Sequence, residues 1–151
     1  MKACIISSVK AIGGHSIEVV WKGGTASEVR LAEIIREDKA LSPLADKALF
    51  SQVKPGLWGH SVVWGDKIDI GADTLWTMAH EQAGLAMPTG AFNLWMERNN
   101  LSLSAAAEVL GISRRMVIYY RMGHRPIPKM VGLACKGHEA ILKEQKRKKA
   151  A

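Results

Sequence analysis

The apolar residues of this chain follow one spacing up to about residue 84 and another after residue 90, which limits it to two differently built parts. Before the change, Ile17, Val19 and Trp21 alternate with Ser16, Glu18 and Val20, the period of two of a half-buried strand. After it, Phe92, Trp95 and Met96 fall at i, i+3 and i+4, the spacing of an amphipathic helix. Between them lie Gly84, Pro88 and Gly90, which resist continuation of a helix and place a linker at 85–88. The expected class is α+β. A small mixed β-rich domain spans 1–84, an all-α domain spans 89–142, and a basic tail, read as frayed, covers 143–151.

In the first part the patterning predicts strands at Ala3 to Val9, Ser16 to Trp21 and Thr25 to Leu31, the last two joined by the turn residues Lys22, Gly23 and Gly24. Helical turns are expected at Ala32 to Glu37 and at Pro43 to Leu49, the second with Ser42 as cap and Pro43 at its first position. Phe50 to Val53 and His60 to Trp64 read as further strands, and Gly65, Asp66 and Lys67 as a turn. A helix from Thr74 to Gln82 is expected to be capped by Asp73.

In the second part helices are expected at Thr89 to Arg98, Leu103 to Leu110 and from Ser113 to about Arg121, with a fourth beginning at Lys129. Ser102 and Ser113 stand where helices start, and Gly111 and Gly123 where they stop.

Charge divides at the same place as period. Residues 1–88 carry nine Lys or Arg against ten Asp or Glu, whereas residues 89–151 carry twelve against four. Essentially all of the net charge of +7 therefore sits in the last two fifths of the chain. A near-neutral module joined to a basic one is the charge distribution of a polyanion-binding protein. No apolar run reaches the roughly 18 residues that a membrane span needs, and the first residues are too short and weakly basic for a secretory signal, so the expected location is the cytoplasm. Cys4 and Cys135 are too far apart in sequence to suggest a disulfide framework, and Cys135 with His138 is a single Cys-x-x-His without a second ligand pair; no metal and no cofactor are expected.

The segment "GISRRMVIYY", residues 111–120, sets paired arginines at the start of an otherwise apolar helix. Adjacent arginines repel one another and resist desolvation unless an anion meets them. Two helices joined by a turn of three or four residues that contains Gly make a helix-turn-helix, whose second helix presents its first turn to the DNA major groove. Small Ala107 permits a close crossing, while Ile112, Val117 and Tyr120 face inward. Ser113, Arg114, Arg115, Ile118 and Tyr119 remain outward. A guanidinium donates two parallel hydrogen bonds to guanine or pairs with phosphate.

The stretch "LSLSAAAEVLGISRRMVIYYRMGHRPIP", residues 101–128, resembles the lambda-repressor-like, or Cro/repressor-type, helix-turn-helix family, and the likeness runs from about Pro88 to Leu142. It implies base-facing or phosphate-facing places for Ser113, Arg114, Arg115, Ile118 and Tyr119, with Arg121, His124 and Arg125 beside them. One departure is Ala105, which stands where a capping box would have Glu. Residues 3–84 are similar to a small bacterial domain of unknown function, through Trp64, Asp66, Asp69, Ile70, Asp73 and Leu75. That family is sometimes joined to a repressor-like DNA-binding domain and occurs among toxin–antitoxin-like genes, which implies a regulator or an antitoxin.

Enzymatic function is not expected. Asp66, Asp69 and Asp73 are accounted for by turns and a cap, and none of His15, His60, His80 and His124 shares a motif with a nucleophile and an orienting group. Four of the five tryptophans read as core anchors, with Trp58, between Leu57 and Gly59, a candidate for a partner surface. The sequence thus points to a sequence-specific DNA-binding transcriptional regulator, most simply a repressor. It is expected to be a homodimer on double-stranded DNA, with the first domain dimerising or, in an antitoxin, holding a toxin.

Overall fold

The structure, a computed structural model, describes residues 4–150 and divides into two compact units, one ending at Gln82 and the other beginning at Ala83. In the first, β1 (Ile6–Ile12), β2 (Ser16–Trp21) and β3 (Ala26–Arg30) form an antiparallel meander. Ala11 lies opposite Ile17 and Ile17 opposite Val29, so the alternation read in β2 puts Ile17, Val19 and Trp21 in the core. The first strand begins later than its expected start at Ala3, which lies outside the described residues.

After α1 (Ala32–Glu37) the chain makes a 3₁₀ segment, Lys39–Ala45, and then α2 (Lys47–Phe50). The expected cap at Ser42 is displaced: Pro43 lies inside the 3₁₀ segment, and Asp46 caps α2 by accepting from the Ala48 amide at 2.9 Å. Phe50 is helical rather than the start of a strand, because its ring is needed against Trp64, stacked at 5.8 Å, and its carbonyl accepts from Trp64 Nε1 at 2.9 Å. A second antiparallel sheet follows, β4 (Lys54–Pro55), β5 (Ser61–Trp64) and β6 (Ile68–Gly71), in that order. Helix α3 (Ala72–Gln82) begins before the expected cap, so that Asp73 falls in its first turn. The helix buries Leu75 and Ala79, sets Trp76 edge-on to Trp21 at 4.9 Å, and ends with the Gln82 amide bonded to both backbone groups of Arg30.

The second unit holds α4 (Thr89–Arg98), α5 (Leu103–Leu110), α6 (Arg114–Met122) and α7 (Lys129–Ala150) around Phe92, Trp95, Met96, Ala106, Val117, Ile127 and Cys135. Two expectations change here. The unit is not wholly helical, because β7 (Ala86–Met87), which fell in the expected linker, pairs with β8 (Ile127–Pro128), and Ile127 is fully buried. The basic end, expected as a tail, is helical: α7 continues to Ala150, and Leu142, Lys143, Glu144, Gln145, Lys146 and Arg147 are strong helix formers. No described helix is long and apolar enough to cross a membrane.

Candidate nucleic-acid interface

The position of α6 is set by its two ends. Ser102 caps α5, its hydroxyl accepting from the Ala105 amide at 3.0 Å even without the missing Glu of a capping box. Ala106 and Ala107, both buried, leave room for close helix packing. Gly111 then reverses the chain at φ 69°, a left-handed conformation that glycine adopts without a Cβ penalty. The Ile112 amide closes onto the Ala107 carbonyl at 3.1 Å, and Ser113 Oγ accepts from the Met116 amide at 3.1 Å to open α6. Gly123, at φ 73°, ends it, and the His124 amide returns to the Tyr119 carbonyl at 3.0 Å.

The inward side of α6 is Val117, fully buried, and Tyr120, edge-on to Phe92 at 5.8 Å. Burial holds the Tyr120 hydroxyl above its usual range, an effect that the Arg125 charge opposes. By helical spacing Arg115 lies most directly opposite Val117 and Tyr120, and Arg114 and Ile118, one turn apart, lie to one side of it, with Arg121 beyond Arg114. The three arginines are exposed and Ile118 is half-buried. No carboxylate among the described residues pairs with Arg114, Arg115 or Arg121, and the first turn of α6 contains no acidic residue. Two cations therefore stand where the helix dipole already presents positive potential, an arrangement that an external anion stabilises.

The other expected residues fall around this face. Ser113 is exposed, with its hydroxyl engaged as the cap. Tyr119 is half-buried because the Arg125 guanidinium lies over its ring at 4.5 Å, while Arg125 also reaches Met116 Sδ at 3.8 Å. Arg125 is thus held against α6 rather than projecting with Arg114 and Arg115. His124 lies beyond the helix end and is exposed, and the Arg121 carbonyl accepts from Asn93 Nδ2 at 3.3 Å, tying α6 to α4.

Elsewhere, Cys135 is buried in α7, its thiol pushed up to about 11 by burial and then by the Glu139 charge. His138 packs edge-on against Trp95 at 5.5 Å. No group of three or more His, Cys, Asp or Glu able to hold a metal occurs among the described residues.

A neutral α+β unit followed by a basic helical one defines the class of protein. Residues 6–81 match the family described as "Protein of unknown function (DUF2442)", and the chain belongs to it. A crystal structure of NE0471, named as a candidate DNA-binding protein of Nitrosomonas europaea ATCC 19718, is similar over nearly the whole chain. The two are 41% identical, with a TM-score of 0.62, over 91% of this chain and 88% of that one. No curated protein matches. The family match ends before Gly84, so it leaves the helical unit to its own geometry and to the likeness with NE0471.

Proposed function

We propose that this protein is a sequence-specific DNA-binding transcriptional regulator, most simply a repressor that occludes a promoter. In this reading α5 and α6 act as a helix-turn-helix of the lambda-repressor-like type, with α6 in the major groove. The observation that carries it is the Arg114–Arg115 pair, exposed and without a carboxylate partner among the described residues at the start of α6. Arg114 and Arg115 read base edges, while Ser113, Ile118, Tyr119, Arg121, His124 and Arg125 meet bases or phosphates nearby. The basic end of α7, Lys146 to Lys149, adds phosphate contacts that carry no sequence information. The name of NE0471 supports the same reading. A homodimer matches a two-fold operator, because one recognition helix reads few base pairs. No catalytic role is proposed.

Titration of duplex DNA at several salt concentrations tests the electrostatic part. Ending the chain before Lys146 should lower the slope of log affinity against log salt by about 0.9 for each phosphate no longer neutralised, with no change in sequence preference. A parent protein whose affinity for duplex DNA did not fall with salt would contradict the reading. A monomer at micromolar concentration, with and without DNA, would contradict the dimer.

A second reading, an antitoxin that autoregulates through α6 and holds a toxin on its first unit, is favoured by one feature. Leu57 is 72% and Trp58 78% exposed, on a 3₁₀ turn in which Trp58 has φ 55°, a conformation that bulky residues rarely adopt. Exposed Trp in a held geometry is the usual anchor of a protein interface. Capture of a stoichiometric small protein from the native host, abolished in Trp58→Ala, distinguishes this reading from a free-standing repressor.

A further inference from the structure

The groove between α4 and α7 has no part in the reading above. It encloses a cavity of about 530 Å³, within the usual range of small-ligand sites. Its apolar wall is Met87, Leu94, Trp95 and Leu133. Leu94 and Leu133 are 53% and 68% exposed, so the groove leaves apolar area in water that a ligand would cover. Its charged residues are arranged unequally. Arg98 and Glu139 neutralise each other, with guanidinium–carboxylate bonds of 2.8 and 3.3 Å, and the Asn99 amide donates to the same carboxylate at 3.2 Å. Lys129 and Lys136, both exposed and two turns apart on α7, border the same groove and have no carboxylate partner among the described residues. The net character is an apolar slot bordered by two exposed ammonium groups that no carboxylate among the described residues pairs with.

We propose that this groove is a binding site for a small amphipathic carboxylate, its aromatic or alkyl body against Leu94, Trp95 and Leu133 and its carboxylate between Lys129 and Lys136. The apolar wall rules out a bare inorganic anion as the best occupant, since such an ion would gain nothing from covering Leu94 and Leu133. The two lysines disfavour a cationic amphiphile, and a neutral one would gain nothing from their charges. Two ammonium groups accept a carboxylate as point charges, without the fixed bidentate geometry that arginine would demand. Nothing in this site depends on DNA binding, and its test can fail while that reading stands.

The experiment uses the full chain and two probes, naphthoate and decanoate below its micelle concentration, each against the matching alcohol. Binding is followed through the amide resonances of Ala91, Gly132 and Leu133 in two-dimensional NMR. The expected result is saturable shifts at these residues, with the carboxylates binding roughly tenfold or more tighter than the alcohols, the scale of a charge-assisted hydrogen bond. In the doubly substituted Lys129→Ala, Lys136→Ala protein the two classes should bind alike. In Leu133→Glu, a change at an exposed position, shown to be folded by its unchanged spectrum elsewhere, neither class should bind. The proposal is overturned by no shift up to about 1 mM, the dissociation constant that a ligand of this size should reach. It is equally overturned if the parent binds alcohol and carboxylate equally, or if the groove variants bind as the parent does, which would put the ligand elsewhere.

Discussion

Gly59 and Gly111 share one backbone conformation, at φ 73° and 69°, but have opposite surroundings, so replacing each with Ala separates strain from steric clash. At Gly111 a Cβ meets nothing within 4 Å. The left-handed conformation then costs about 1–2 kcal/mol. The gain from a stiffer unfolded chain, about 0.4–1 kcal/mol, offsets part or all of that and leaves a net loss of about 0–1.6 kcal/mol. At Gly59 the strain is the same, but a Cβ would collide with the Ile6 carbonyl oxygen and lie 2.9 Å from Ile5 Cγ2. The first obstacle is backbone in β1, which can move only by disturbing its pairing with β2, and overpacking of this kind adds about 1–3 kcal/mol. Gly59→Ala should therefore cost about 1–4.6 kcal/mol, about 1–3 kcal/mol more than Gly111→Ala. Native-state hydrogen exchange reads each effect in its own unit, through the amides of Val19 and Val62 for Gly59→Ala and those of Val117 and Tyr120 for Gly111→Ala. Equal losses, or a loss at Gly59 below about 1 kcal/mol, would refute the reasoning.

Three further outcomes are expected. Residues 1–84 expressed alone should unfold cooperatively, since the first unit closes its own core from Ile6 to Ala79; a non-cooperative melt would remove it as a domain. The hydrogen bond from Arg98, and then that from Asn99, hold the Glu139 carboxyl below its usual range. Its contribution to stability is thus complete above the range of an unfolded glutamate and fades as pH falls through the lower folded value, a dependence that Glu139→Gln should remove. A Glu139 side chain that titrates by NMR at or above the ordinary glutamate range would contradict it. Because burial pushes the Cys135 thiol up to about 11, a thiol reagent at pH 8 should leave it intact in the folded protein and modify it after unfolding; equal rates in both states would be inconsistent with its place in the core.

What could be read from the sequence was local. Ser102, Gly111, Ser113 and Gly123 each act within a turn or two of themselves, and the expected bounds of α4 and α5 are those of the structure. The alternation in β2 needed only its own residues. The pairing of β7 with β8 joins segments about forty residues apart, and its Pro128, which lacks an amide donor, reads in sequence as a breaker. Phe50 gives no local sign that Trp64, fourteen residues on, requires its carbonyl. The end of α7 was legible in composition, but its run of charge suggested a tail more strongly than its helix-forming residues suggested a helix. At the interface, the exposed places of Arg114 and Arg115 follow from helical periodicity once Val117 and Tyr120 are inside, whereas Ile118, expected outward, is half-buried. The stacking of Arg125 on Tyr119 does not, because it depends on how the chain turns after Gly123.

The central claim is that the first turn of α6 reads DNA sequence. Selection of duplexes from a random pool by the parent protein and by folded Arg114→Ala and Arg115→Ala variants measures it most directly. Each substitution should remove about 1–3 kcal/mol of discrimination at the base positions its arginine contacts and leave preference elsewhere intact. Recovery of the same sites with the same preference by both variants would contradict the account.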